Sequence, residues 1–193
     1  MARPAKFTDD QVLDGATAAV ARFGPNVTIA QIAEAMGAPV GSIYHRFESR
    51  EHLLVRLWLR SIGRFHVGLL AAAADPDVER ALVESALHIP RFCREHPATS
   101  LTMTLFRQQR LVLDAPTGLE GPVATVNEAV DAALAELVRR RWGRSTDRRQ
   151  RLAFTAVRQS PYGLVRPYVG GPVPRWLDEV VEASTSAILR LGD

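Results

Sequence analysis

No run in the 193 residues alternates apolar and polar side chains long enough to form a half-buried strand; apolar residues instead recur every three or four positions along the chain. That period specifies an all-α fold, and start and stop signals divide it into about nine helices. The first is expected over residues 9–23, capped by Thr8 with Gln11 completing a capping box, and stopped by Gly24-Pro25. A second capping box, Thr28 with Gln31, opens a short helix over 29–36 that Gly37 ends. Pro39 suits the first position of a third helix, about 40–46, because its ring presets φ and its missing N–H costs nothing there. Ser49 caps a long fourth helix, about 50–74. Asp75-Pro76 reads as a cap and first-turn proline for a helix reaching residue 95, and Pro97 as the start of one ending near 110. Residues 113–122, with their prolines and glycines, read as a loop. A helix follows over about 123–141, and Gly143 breaks it. The helix after Ser145 should end or kink at Pro161 and Pro167, and the last spans about 175–191. The expected domains are 1–49, three short helices, and 50–193, the longer ones.

Residues 28–47 have the mechanics of a helix-turn-helix. Two short helices flank a tight turn at Gly37, and the second is too short to persist without packing on its neighbours. Ile43 and Phe47, four apart, would face the core, leaving Gly41, Ser42, Tyr44 and His45 outside. That outer face suits double-stranded DNA. Gly41 permits close backbone approach, Ser42 offers a small hydroxyl, Tyr44 reaches a phosphate, and His45 reaches a base edge or a phosphate. Thr28 and Arg50 stand at helix N-termini, where backbone N–H groups attract phosphate. Arg3 and Lys6 precede the first helix, as an arm that contacts phosphates or the minor groove or as a tail with incidental charge.

The stretch TIAQIAEAMGAPVGSIYHRFESREHLL resembles the DNA-binding signature of the tetracycline-repressor-like (TetR) family through Thr28, Ile32, Ala33, Gly37, Gly41, Ser42, Tyr44, Phe47, Ser49, Glu51, Leu53 and Leu54. It departs at Ala38-Pro39, where a small residue and a serine cap are usual, at Val40, where many relatives are polar, and at Arg50, which replaces a lysine. The resemblance implies a homodimeric regulator of operator DNA, released by a small effector. It also implies that the middle helices enclose the effector, with Phe65, His66, His88, Phe92, Met103, Phe106 and Arg107 as lining candidates. The family pairs its last two helices across the dimer, and the stripe Trp176, Leu177, Val180, Val181 and Ile188 fits that role because a monomer would leave it partly wet.

The remaining features carry less. A net charge of +3 is too small to argue for nucleic acid by itself. Of 24 basic residues only Lys6 is lysine, and arginine favours forked contacts to phosphate and guanine. The cluster Arg139, Arg140, Arg141, Arg144, Arg148, Arg149 and Arg151 reads as a solvated helix end rather than a second nucleic-acid site. A single cysteine, Cys93, permits no internal disulfide, suits a reducing cytoplasm, and lies in a packing context. No cofactor fingerprint, nucleophile elbow or metal-ligand spacing is present, so neither catalytic residues, a cofactor nor a metal is expected. Arg56, Arg60 and Arg64 interrupt the longest apolar stretch, so no membrane span is expected. The alternatives are a helical enzyme and a protein-interaction module that does not bind DNA.

Overall fold

A computed structural model describes residues 7–193, so Arg3 and Lys6 lie outside the described residues. The helices are α1 (Asp9–Phe23), α2 (Ile29–Met36), α3 (Val40–Tyr44), α4 (Arg50–Ala73), α5 (Val78–Glu95), α6 (Pro97–Met103), α7 (Gln108–Leu111), α8 (Glu120–Thr125), α9 (Glu128–Trp142), α10 (Asp147–Phe154), α11 (Ser160–Val165) and α12 (Trp176–Arg190). A π turn, Thr155–Gln159, joins α10 to α11, and a 3₁₀ turn, Arg166–Tyr168, follows α11. Among the described residues there is no strand. Two of the expected helices are each divided, into α6 with α7 and into α8 with α9, and α8 begins inside the stretch read as a loop.

The chain forms two compact units. The first runs through Ile62 and takes in Ala98–Val126; the second comprises Gly63–Pro97 and Asn127–Asp193. The division expected after residue 49 is therefore not where the units part. Leu53, Leu54 and Leu57 of α4 are buried in one core with Val12, Ala16, Ile32, Ile43 and Phe47, so the start of α4 belongs with the short helices.

In the first unit both capping boxes form. Thr8 and Thr28 each accept from the backbone N–H three residues on, and Gln11 and Gln31 accept from the two threonine N–H groups. Helices α1 and α2 cross at Gly15, where an added Cβ would lie 2.1 Å from Cγ of Met36, so the crossing needs a glycine. Gly37 ends α2 in the left-handed region, φ 60°, and Ala38 N–H reaches the carbonyl of Ala33. Pro39 stands one position earlier than expected. Its ψ of 140° is extended, so it is the N-cap of α3 rather than its first residue, and it offers no side-chain cap bond. Ser49 does cap α4, accepting from the His52 N–H at 3.0 Å. The helix expected over 97–110 stops at Met103, whose carbonyl accepts the Trp58 indole N–H at 3.1 Å; beyond it Thr104 and Leu105 close short three-residue turns.

In the second unit α5 starts later than its proline suggests. Asp77, not Asp75, caps it, accepting from the Arg80 N–H at 3.0 Å, while Asp75 binds the Asp77 N–H and the Arg80 guanidinium. Pro76 therefore precedes the cap. Cys93 is buried in a core with Leu87, Ile89, Val165 and Leu177, as packing predicts. On α12, Leu177 and Val181 belong to that same core, whereas Trp176 is 54% and Val180 39% exposed. The stripe read as one exposed face is thus two: Leu177 and Val181 point inward in their own chain, and Ile188 is half-buried.

Pro161 does not end its helix. The Ser160 N–H bonds the Thr155 carbonyl five residues back, so the turn widens ahead of a residue that has no N–H to give. That leaves the Ala156 carbonyl without its usual donor, and the fully buried Thr185 of α12 donates its hydroxyl to it at 3.1 Å. Thr185→Val keeps the shape but orphans a buried carbonyl, which costs about 1–3 kcal/mol. Urea denaturation should show a loss of that size, with Thr185→Ser close to wild type; an unchanged midpoint for the valine variant would mean the carbonyl is satisfied otherwise.

Candidate nucleic-acid interface

The five residues of α3 cannot hold a helix alone, and three neighbours position it. Ile43 and Phe47 are fully buried against α1, α2 and α4, as their spacing predicts. Just past α3, Arg46 donates from Nη1 to Oδ1 of Asp9 at 2.5 Å, and Arg56 of α4 donates to Oδ2 of the same carboxylate at 2.9 Å. The bond from Arg46, ahead of that from Arg56, holds the Asp9 carboxyl below the usual carboxylate range. Arg60, one turn beyond Arg56, pairs with Asp14 at 2.9 Å and also reaches Asp10. In the sequence Arg56 and Arg60 stood out only as breaks in an apolar stretch, and Asp9, Asp10, Asp14 and Arg46 did not stand out; the signal for their pairing is that Asp10 and Asp14 on α1 and Arg56 and Arg60 on α4 are both spaced by four, which makes complementary charged faces.

The outer side of α3 presents Val40, Gly41, Tyr44 and His45 to solvent, with Tyr44 55% exposed, and Ser42 half-buried between them. Gly41 has an ordinary helical φ, and an added Cβ there meets nothing within 4 Å. The fold therefore does not require the glycine, although glycine weakens a helix by about 1 kcal/mol against alanine. Thr28 is exposed at the start of α2, its hydroxyl shared with Gln31. Arg50, at the start of α4, has its side chain engaged within the protein. Its Nε and Nη2 donate to the carbonyls of Val27 and Pro25, at 2.5 and 2.7 Å, and so hold the turn between α1 and α2.

Residues 12–57 match the sequence profile of the family described as bacterial regulatory proteins, tetR family. Over these residues, most of α1, all of α2 and α3 and the start of α4, the chain is similar to that family. The matched stretch has a helix-turn-helix arrangement, with α2 and α3 joined by the turn at Gly37. Among solved structures the chain is similar to the TetR family regulator PfmR of Thermus thermophilus, with a TM-score of 0.72 at 20% identity over 93% of this chain and 97% of that one. The fatty acid degradation regulator FadR of Bacillus halodurans gives 0.72 at 21%, covering 94% of each chain. SmeT, the repressor of the multidrug efflux pump SmeDEF of Stenotrophomonas maltophilia, gives 0.67 at 16% over 98% of this chain and 92% of that one. No curated protein sequence matches the chain.

The residues named as effector candidates divide between the two units. Met103, Phe106 and Arg107 lie in the first, where Phe106 packs edge-on to Trp58 at 6.5 Å between ring centres. Phe65, His66, His88 and Phe92 lie in the second and are brought together: Phe65 is 4.8 Å from His88 and 5.3 Å from Phe92, ring centre to ring centre. His96, the third histidine of this stretch, extends the cluster, its ring centre 4.8 Å from that of Phe92. The His88 ring lies where a side chain at Gly68 would be, and its Nε2 is 2.9 Å from the Phe65 carbonyl. A carbonyl only accepts, so Nε2 carries the proton. Burial holds both His66 and His88 below the ordinary imidazole value of 6.5, and Arg158 adds to the effect at His66.

The arginine cluster is more structural than a solvated helix end. Arg140 donates to the carbonyls of Asp75 and Pro76, Arg141 pairs with Glu79 and Asp193, and Arg149 reaches the Gly192 carbonyl, while Arg144, Arg148 and Arg151 are exposed. Among the described residues no three His, Cys, Asp or Glu side chains are grouped to hold a metal ion, and no helix is long and apolar enough to cross a membrane.

The two histidines make stability depend on pH. Both are neutral in the fold, whereas the unfolded chain takes up protons at about 6.5, so their contribution is full above that value and is lost as pH falls below it toward the depressed folded values. Denaturation midpoints should fall between about pH 7.5 and pH 5.5. His88→Gln should fall less over the same interval; an equal fall would place the proton uptake elsewhere.

Proposed function

We infer that this regulator is a homodimeric repressor that reads duplex DNA with the outer face of α3 and is released by a small effector. The observation that carries the reading is the outer face of α3, inside the residues similar to the tetR family: Gly41, Tyr44 and His45 face solvent side by side, and the open space at Gly41 leaves room for a closely approaching surface. In this scheme α3 lies in a major groove with Gly41 nearest the DNA, Ser42, Tyr44 and His45 as contacts, and Thr28 at the edge. The N–H groups at the start of α4 face phosphate, while the Arg50 side chain braces the turn between α1 and α2. Arg3 and Lys6 reach the flanking backbone. Val40 supplies an apolar contact where a polar one is common.

Two copies put two α3 helices into successive grooves about 34–36 Å apart on a near-palindromic site. The exposed Trp176 and Val180, with the half-buried Ile188, are the α12 residues left to meet a second copy. SmeT is a repressor, which supports that sense of action here. The effector, held near Phe65, His66, His88 and Phe92, leaves chemically unchanged and binds the DNA-bound form less tightly, as reciprocity requires. A protein working in this way resides with the chromosome in the cytoplasm.

Gly41→Leu should leave the unfolding free energy unchanged or raised by up to about 1 kcal/mol, because leucine is the better helix former and meets nothing. The same variant should lose at least about tenfold in affinity for genomic fragments selected by the wild type, a loss of about 1.4 kcal/mol, measured by gel shift across salt concentrations. Retained, salt-dependent binding would remove α3 from the interface. Val180→Glu should convert dimer to monomer by light scattering without loss of helix content. A persisting dimer would put the contact on another face.

A further inference from the structure

Residues 7–62 hold α1–α3 and the first half of α4, and they carry no net positive charge. Five arginines, Arg22, Arg46, Arg50, Arg56 and Arg60, stand against six acidic residues with no lysine, which gives −1 with the histidines neutral. The simplest hold on duplex DNA is a cation on each of several phosphates, and it works at any sequence. Here all five arginines are engaged within the chain. Arg50 is held by the carbonyls of Pro25 and Val27, Arg60 by Asp14 and Asp10, and Arg22 faces Glu34 at 4.0 Å in the open. Arg46 and Arg56 share the Asp9 carboxylate, at 2.5 and 2.9 Å.

Of these five, Arg46 is the one adjoining the outer face of α3, since it follows His45 directly. Arg56 has a second anchor: its guanidinium lies 5.1 Å from the centre of the Phe47 ring. The Arg46 guanidinium has none besides Asp9 among the described residues. Partly exposed ion pairs add little to stability, and Asp10 already supplies a negative charge to the first turn of α1. Neither stability nor the helix dipole therefore accounts for a carboxylate that spends both oxygens on two arginines.

We propose that Asp9 determines the specificity of DNA recognition: by drawing Arg46 against α1 it withholds a guanidinium from the phosphates of any duplex, and by the same bond it fixes the end of α3 for one sequence. This rests on the reading of α3 as the helix that meets DNA. Phosphate contacts carry no sequence information, so a freed Arg46 strengthens binding to every duplex alike. An α3 free to rotate loses the base-edge contacts that single out one site. Loss of the Asp9 charge thus weakens the right sequence and strengthens the wrong ones, a pattern that a merely destabilised unit does not give.

Fluorescence anisotropy of the full chain tests this with two labelled duplexes of equal length, each over a range of salt. One is a genomic fragment selected by the wild type, and the other has its sequence scrambled. Asp9→Asn should bind the scrambled duplex about threefold more tightly and the selected one about threefold more weakly, so that discrimination falls by about tenfold. On the scrambled duplex its logarithmic salt slope should steepen by about 0.9 per copy bound, as one more phosphate contact requires. Asp9→Asn combined with Arg46→Gln should lose that gain and return to the wild-type slope. Arg46→Gln alone should weaken the selected duplex without the gain. Glu34→Gln, which removes the same charge from an exposed pair, should keep the wild-type discrimination. Circular dichroism shows that each variant folds. An unchanged slope for Asp9→Asn, an equal change on both duplexes, a gain that survives Arg46→Gln, or an equal loss of discrimination in Glu34→Gln would each overturn the proposal. A wild type that binds neither duplex would overturn the DNA reading and this proposal with it, an outcome distinct from the others.

Discussion

Asp9 stands in the first turn of α1 and takes Arg46 on one carboxylate oxygen and Arg56 on the other. The first arginine follows α3 and the second lies in α4, so one side chain in α1 ties together the elements around α3. Partly exposed ion pairs contribute little to stability, and their value here is geometric. With five residues and no side-chain cap, α3 has no internal means of fixing its direction. Ile43 and Phe47 set its depth, while Arg46, tied to Asp9, limits its rotation. Arg50 completes the arrangement from the other side by holding the carbonyls of Pro25 and Val27.

The parts of the fold legible in the sequence are those governed by neighbours three or four residues away. Both capping boxes, the bounds of α1 and α2, and the inward turn of Ile43 and Phe47 follow from such spacing. What was not legible depends on partners distant in the chain. The helix after residue 97 stops at Met103, where Trp58 takes the carbonyl, and the helix through Pro161 continues because Thr185 supplies the missing donor. Local rules place Asp75 and Asp77 equally well before a helix; Arg80 settles the matter by binding the first with its guanidinium and the second with its backbone.

The candidate site was legible in part for a related reason. A period of three to four identifies an apolar face but does not say what covers it. Trp176 and Leu177 are neighbours in the sequence, yet one faces solvent and the other its own core. Aromatic residues 65, 66, 88 and 92 do assemble, because they recur on facing sides of α4 and α5, whereas Met103, Phe106 and Arg107 belong to the other unit. Arg50 was read by its place at a helix start. The exposed carbonyls of a turn more than twenty residues earlier, which claim its side chain, leave no mark in the local sequence.

The π turn between α10 and α11 has a consequence for phase. Successive residues of an α-helix are set about 100° apart, so a turn that accommodates one extra residue resets every later side chain by that angle. Phe154 before the turn and Tyr162 after it are both exposed, while Val157 and Val165, also eight apart, are both buried. Removing a single residue from Thr155–Gln159 would swing α11 by about a quarter of a revolution, bringing its buried side toward water. Chain length in this stretch therefore acts as an angular setting, and a relative that differs by one residue there would present a different set of side chains along the same helix axis.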